Sequence, residues 1–518
     1  YLIKKEKPLT KIILGGPQAS LAASEIISNF QGIIDVVARG ESENNIIRIV
    51  DSLLNNKDLS SIPGITFSKL GNVNSNQDLD LIDLDSLPKI DYSFVDIKRY
   101  QHDNVQMSVE AGRGCPFNCT FCSTSVLWKR KYRMKSEKKL YSDIKLATET
   151  FFAKNISLIH DNFTFRPDFV FKFCKYLIER NSRFTWTCAS RADHLDRKLA
   201  RIMYQAGCRE IFFGIESGSQ KIQKTTRKNI KTHKVVQTLK DASEEGIVCT
   251  ASFIIGHLGE TIEDFNHTLD LMIDLKRNAK AIIQIHILAP HSGTQVYQDV
   301  KSQLELVGYK SHLASVEKYQ NQSNITELIK QNPSVFPSFY QFNRIDFSLD
   351  FLNFVQNIGY TLINYYERCF CLLNKHLHES YYETLWKLYK CHKKSNCIKV
   401  DQIILNLGES LQLETSQILE LKDIVRYDKG IQNVSEVSMK SSMNYITINQ
   451  TKYKLKYPVI INEKNSCGTY YMFVSRENNI DTYEVDREIF DCFVTKKTDV
   501  LSLMNVNHLV EQNVLLQC

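Results

Sequence analysis

No cysteine occurs before Cys115, no run of 18 apolar residues occurs anywhere, and no secretory signal opens the chain. The second absence argues against a membrane-spanning helix, and the third removes the usual reason to expect disulfides. Charge of one sign is scarce as well: 65 basic against 58 acidic side chains leave +7 over 518 residues. That excess is too small to argue for nucleic acid as a partner. The 14 cysteines are irregularly spaced, which fits free thiols in a reducing cytosol, and a cytoplasmic location, better than a disulfide framework. What is present is an ordinary globular composition, 43% hydrophobic and 24% charged, long enough for about three domains.

The chain starts at Tyr1 and reaches the buried-strand pattern KIILGG (11–16) almost at once, so a domain is entered partway and the sequence reads as a piece of a longer protein. A helix over 20–30, a second strand with a turn over 33–43 and a helix over 44–54 follow, as in the βα units of an open parallel sheet. Glycine turns at the ends of such strands face a ligand crevice. Residues 55–105 are polar and loop-like. The first domain is expected to end at 75, with a linker over 76–105.

From about 106 to 300 the pattern repeats. Strands are expected at 106–112, 156–162, 184–193, 210–217, 249–256 and 282–290, with helices at 136–152, 167–180, 195–206, 231–245 and 261–276. Such a succession predicts a partial (β/α)6 TIM-like barrel, with its chemistry at the carboxyl ends of the strands. Residues 301–425 read as a helical region rich in Tyr, Phe and Leu. Residues 426–518 read as a small α+β module of the winged-helix kind, with hairpins over 443–490 and two short helices at the end. Cys369, Cys371, Cys391 and Cys397 have poor ligand spacing and read as buried free thiols.

The segment GRGCPFNCTFC (112–122) packs Cys115, Cys119 and Cys122 onto one glycine-led loop. Three thiolates can hold three corners of a 4Fe–4S cluster and leave the fourth iron without a protein ligand. An open position keeps a metal site reactive. The competing reading is a structural zinc completed by His102 or His160. Other distinctive residues fall at predicted strand ends: Asp161, Arg191, Glu216, Ser217 and Gly256. Asp161 could equally cap a helix, Glu216 could be a structural carboxylate, and Arg191 could pair a neighbouring acid. The basic run 129–139 reads as a solvated face apart from Arg133, and His257 and His291 read as incidental loop residues.

The Cys-x3-Cys-x2-Cys loop, together with FFGIESGSQ, FIIGHLGE and QIHILAPHSGT over residues 106–300, resembles the radical S-adenosylmethionine (SAM) superfamily. The resemblance implies a 4Fe–4S cluster on Cys115, Cys119 and Cys122, with SAM chelating the open iron and yielding a 5′-deoxyadenosyl radical. It further implies Glu216 and Ser217 at the ribose and polar head of SAM, Asp161 at its amino group, Arg133 near its carboxylate and Gly256 beside the adenine; Arg191 joins these as a candidate. Leu258 stands where the family usually has proline. The amino-terminal stretch ILGGPQAS…VVARGESE resembles the last third of the cobalamin-binding domain of one subgroup, where Gly15, Gly16, Gly40 and Glu41 would help hold the nucleotide tail. The expected activity is therefore a cobalamin-dependent methyl transfer to a small-molecule, natural-product or peptide substrate, with a reductant such as flavodoxin or ferredoxin as partner. The alternatives are a non-methylating radical enzyme (epimerase, cyclase or rearrangement) and a fragment that binds cluster and SAM without competent cobalamin binding. Methylthiolation of transfer RNA would call for cysteines ahead of Cys115.

Overall fold

The computed structural model describes residues 2–100, 105–306, 323–395 and 399–411, short helical pieces up to 429, and the strands lying between 445 and 517. They form two units, one of Tyr1–Leu271 with Arg277–Ser348, the other of Met272–Lys276 with Leu349–Cys518.

In the first unit, β1 (Ile13–Leu14) and β2 (Val36–Ala38) pair in parallel, as the βα pattern predicts. The sheet then continues where a polar loop was expected. β3 (Ile65–Lys69) runs antiparallel to β2, and β4 (Asn72–Ser75) closes a hairpin on β3. Only Ile65, Thr66 and Phe67 of this hairpin are buried, so too few positions alternate for a strand to be read from the sequence. Its two-residue turn is Leu70-Gly71, both at positive φ, as tight hairpin turns require. Val36, Ala38, Ile49, Leu53, Ile62, Ile65 and Phe67 make one small core over this sheet.

The larger sheet is the expected partial barrel. β5 (Gln106–Glu110), β8 (Asn155–Ile159), β9 (Thr185–Ser190), β10 (Cys208–Glu216), β11 (Val248–Ile255) and β12 (Ile282–Ile287) lie in the order β12-β11-β10-β9-β8-β5 with every neighbour parallel. A separate two-strand ladder, β6 (Gly112–Arg113) with β7 (Arg133–Met134), follows β5. Alternation sorts the side chains. Ile211, Phe213 and Ile215 of β10 are fully buried, while Glu210 and Phe212 line a cavity on the inner face. Four helices of this unit start on side-chain caps: Ser136 accepts from Lys139 N, Asp196 from Leu199 N, Ser219 from Ile222 N and Thr294 from Tyr297 N.

The unit runs on to Ser348, past the boundary expected at 300, because the later segment packs back onto its beginning. Val335 joins Ala19, Ala22, Ile26 and Ile27 in one core, Asn29 bonds Asn332, and Gln18 donates to both the Val335 carbonyl and the Ser292 hydroxyl.

The second unit is helical over Leu349–Phe354, Tyr360–Tyr365, Glu367–Leu377, Tyr381–Ser395 and Val400–Ser410. Its strands are β13 (Tyr445–Ile448), β14 (Thr451–Leu455), β15 (Val459–Asn462), β16 (Tyr470–Arg476), β17 (Asn479–Val485) and β18 (Leu515–Gln517). They form the antiparallel sheets β13-β14-β18 and β15-β16-β17. The two terminal helices were expected in a stretch that mostly lies outside the described residues; its last part, β18, is a strand paired with β14. Cys397 also lies outside them. Among the described residues no helix is long and apolar enough to cross a membrane.

Candidate active site

The cysteine loop leaves the carboxyl edge of β5 and is closed at its base by the β6–β7 ladder, in which Gly112 faces Met134 and Arg113 faces Arg133. Glycine is required at both ends of its first strand. A Cβ on Gly112 would run into the Arg133 carbonyl oxygen, and Gly114 has φ +87° with the Lys131 carbonyl where its Cβ would stand. Cys115, Cys119 and Cys122 are free, half-buried thiols on this loop. Asp161, just past β8, straddles the loop: its carboxylate accepts from Gly114 N at 3.0 Å and from the Thr124 hydroxyl at 3.1 Å. Thr120 is tied down on both sides, donating its N–H to the Thr226 carbonyl and accepting from Val296 N.

Burial pushes the Cys119 thiol up to about 11, against the pull of the Lys228 ammonium and the Arg191 guanidinium, while the Cys122 sulfur raises it further. Cys115 is likewise raised by burial, then by Cys122 and Asp161. The Cys122 sulfur therefore lies near enough to both other sulfurs to oppose their ionisation. Arg191 stacks on Phe117 of the loop, 3.8 Å from the ring centroid, and forks onto Asp193 at 3.0 and 2.9 Å.

The β10 end supplies a buried ion pair. The strand bulges between Gly214 and Glu216, and Glu216 takes φ +70°. Its carboxylate accepts from Lys228 Nζ at 2.8 Å, both side chains being 10% exposed. A Cβ on Gly214 would press on that oxygen at 2.5 Å and on the ammonium at 3.0 Å, so the glycine makes room for the pair. Burial works against the Lys228 charge, yet Glu216 and Cys119 more than offset it and the ammonium is held above its usual range. Arg191 also donates to the Lys228 carbonyl at 2.7 Å. Lys228 thus joins the cysteine loop, Glu216 and Arg191, and nothing in its sequence setting, one lysine in a basic turn, marks it. Ser217 does not join them. Its hydroxyl is fully buried and bonds Thr268 Oγ1 and Ser219 N.

Gly256 ends β11 at φ +75°, and its N–H and that of His257 both bond one Glu260 oxygen, at 2.6 and 3.1 Å. Burial pushes the Glu260 carboxyl up to about 8. It also holds His257 down to about 4, with the ring against Phe121 of the cysteine loop. Arg344 bridges the ends of β11 and β12 by donating to the Gly256 carbonyl at 2.8 Å and the Leu288 carbonyl at 3.0 Å. It comes from the later segment, where no motif announced it.

In the smaller sheet Gly16 (φ +90°) follows β1 and Gly40 (φ +70°) follows β2. Nothing lies within 4 Å of where a Cβ on either would stand, and Gly15 approaches only the Ala38 carbonyl at 3.7 Å. These turns form an open edge. Glu41 and Arg133, each a cofactor contact in the resemblance, stand side by side. They bind one another: Arg133 donates to both Glu41 oxygens at 2.9 and 2.7 Å, and Arg113 adds a third contact at 2.8 Å. The physical reason is burial. A carboxylate with 1% of its side chain exposed needs cations, and two guanidiniums are at hand.

A cavity of about 610 Å³ lies beside the β6–β7 ladder and the barrel strands, lined among others by Gly112, Arg113, Trp128, His160, Asp161 and Glu210. Burial keeps His160 neutral, its pKa near 4; its Nδ1 accepts from Asn162 N, which puts the ring proton on Nε2 and leaves neither nitrogen a free lone pair for zinc. No three His, Cys, Asp or Glu among the described residues surround a single ion-sized point. Three thiols spread along one loop suit the separate irons of a cubane better. The donor chemistry fits too, since iron charge would hold as thiolates the groups that burial disfavours.

The family model of the radical SAM superfamily matches residues 109–272. The chain is 28% identical over 289 residues to an uncharacterized methyltransferase of Pyrococcus horikoshii, covering 55% of this chain and 62% of that protein. It is 24% identical over 300 residues to the anaerobic magnesium-protoporphyrin IX monomethyl ester cyclase of Synechocystis, covering 57% and 59%. It is 22% identical over 310 residues to the hopanoid C-3 methylase of Methylococcus capsulatus, covering 59% and 58%. The alignments thus span about three fifths of these relatives. The solved cobalamin-dependent S-adenosylmethionine radical enzyme OxsB with aqua-cobalamin bound has the same fold, with a TM-score of 0.55 at 15% identity over 84% of this chain and 69% of that one. Residues 109–272, which carry the three-cysteine loop at the edge of a six-stranded parallel sheet, thus form a radical SAM domain, and that domain implies a 4Fe–4S cluster and SAM as cofactors.

Proposed function

We propose that the protein is a cobalamin-dependent radical SAM methyltransferase acting on a small molecule or a peptide-derived substrate. One observation carries the reading: the half-buried cysteine loop, Glu216 and the barrel cavity share one unit with a glycine-edged α/β layer. Relatives named as methyltransferase and methylase support the transfer of a methyl group. When bound, the cluster supplies the electron that cleaves SAM reductively, and cobalamin supplies the methyl group.

The chain's own residues then have definite tasks. Cys115, Cys119 and Cys122 would hold the cluster. Asp161 fixes the loop through Gly114 N and Thr124. Lys228 and Arg191 place positive charge beside Cys119 and favour its thiolate. Glu216, Gly256 and Arg191 would orient SAM, and Gly15, Gly16 and Gly40 would edge a crevice for cobalamin. The cavity beside Asp161 would receive the substrate. No side-chain base is required for hydrogen-atom abstraction. A flavodoxin or ferredoxin would supply the electron.

The test is anaerobic reconstitution with iron and sulfide, followed by SAM, reductant and cobalamin, with mass-spectrometric quantification of 5′-deoxyadenosine and S-adenosylhomocysteine. Both products, the second requiring cobalamin, are expected. 5′-Deoxyadenosine alone would move the assignment to non-methylating radical chemistry, as in the cyclase relative. Neither product from a cluster-loaded chain would refute it.

A further inference from the structure

The base of the cysteine loop contains an electrostatic problem. Arg113 and Arg133 stand directly opposite each other in the β6–β7 ladder, a placement in which like charges repel. A two-rung ladder offers few hydrogen bonds to resist that repulsion. The remedy comes from far away in sequence. Glu41, on the turn after β2, reaches both guanidiniums at 2.7–2.9 Å, and its second oxygen also accepts Ile82 N at 2.8 Å. Arg133 donates back to the Ile82 carbonyl at 2.8 Å. Trp128, inside the loop, lies against both cations, 5.7 Å from Arg113 and 5.8 Å from Arg133. Arg113 has further anions in Glu43 and Glu110, at 2.7 Å each. Arg133 has only Glu41 among the described ion pairs.

We infer that Glu41 is a positioning residue for the cysteine loop. One buried carboxylate from the amino-terminal α/β layer holds the two strands between which Cys115, Cys119 and Cys122 are suspended. The same turn carries Gly40 at the open glycine edge, so the layer that would take cobalamin and the loop that would take the cluster share one anchor. The inference rests on the proposed function only for the identity of the two cofactors; the anchoring itself needs neither.

The test uses the full cluster-free chain under anaerobic conditions and measures residue-resolved alkylation of its thiols by mass spectrometry, alongside thermal melting. In Glu41→Gln, losing the charge-assisted bonds to Arg133 should open the loop base and speed alkylation of Cys115, Cys119 and Cys122 about 10- to 100-fold. The core thiols Cys174 and Cys249 should keep their rates. In the double variant E41Q/R133Q no buried charge is left unpaired, so the melting temperature should recover while the loop thiols stay fast, since the anchor is still missing. Unchanged loop rates in E41Q would overturn the inference. So would core thiols that accelerate in step with the loop, or a double variant that restores loop protection together with stability. A separate arm, iron uptake by the unaltered chain, reports on the cluster assignment, so its failure is distinguishable from failure of the anchor.

Discussion

Replacing Lys228 with methionine leaves nearly the same volume but removes the counter-ion of Glu216 in a site where both side chains are 10% exposed. Two estimates bound the effect. Removing one member of a buried ion pair costs about 3–5 kcal/mol. The stranded carboxylate can instead take a proton, which for an ordinary carboxyl of pKa about 4.3 costs about 3.7 kcal/mol at pH 7 and about 1 kcal/mol at pH 5. The cheaper route prevails, so K228M should lose about 3.5 kcal/mol at neutral pH, a drop of about 5 °C in melting temperature for a unit of this size at about 2.1 cal/mol/K per residue. Most of that loss should vanish at pH 5. The variant also removes the ammonium that holds down the Cys119 thiol most strongly, so Cys119 should rise above about 11 and be alkylated more slowly at pH 9 than in the parent. The assay is anaerobic melting of the cluster-free chain at both pH values, with alkylation of Cys119 followed in parallel. A deficit under about 1 kcal/mol at pH 7, or one of equal size at pH 5, would show that the pair is solvated and the reasoning wrong.

How far the sequence could be read follows from where each signal is stored. The barrel strands were legible because six βα repeats each carry an apolar run, and the observed strands fall within the expected ranges or a residue or two beyond them. The three cysteines were legible because their ligand spacing lies in one short loop. Residues whose meaning depends on a partner far along the chain were not. Glu41 and Arg133 are 92 positions apart, and nothing near either in sequence names the other as its partner. Lys228 is a plain basic turn residue until the bulge at Gly214 brings Glu216 to it. Arg344 lies beyond the expected end of the barrel and acts by reaching back to the ends of β11 and β12. β3 and β4 were missed for the opposite reason, a period-2 signal too short to rise above a polar stretch.

Two further substitutions test particular contacts. Gly112→Ala should prevent the β6–β7 ladder from closing, because its methyl group would meet the Arg133 carbonyl, and iron loading should fall even where the protein still folds; loading equal to the parent would mean the ladder does not shape the loop. The other concerns Glu260, whose carboxyl burial raises from 4.5 to about 8. The folded state then keeps a proton that the unfolded chain releases above pH 4.5. Stability is thus fully present below that value and is lost as pH rises toward 8, where the folded carboxyl also ionises and the trend flattens. Glu260→Gln keeps an oxygen to accept from Gly256 N and His257 N but cannot ionise. Melting profiles should therefore show the parent losing stability between pH 5 and pH 8 and the variant losing distinctly less, so that the advantage of the variant grows with pH. Parallel profiles would mean that Arg344 compensates the Glu260 charge after all, and that the strand ends at Gly256 and Leu288 are joined by an ion pair instead of by a neutral carboxyl and a guanidinium directed at carbonyls.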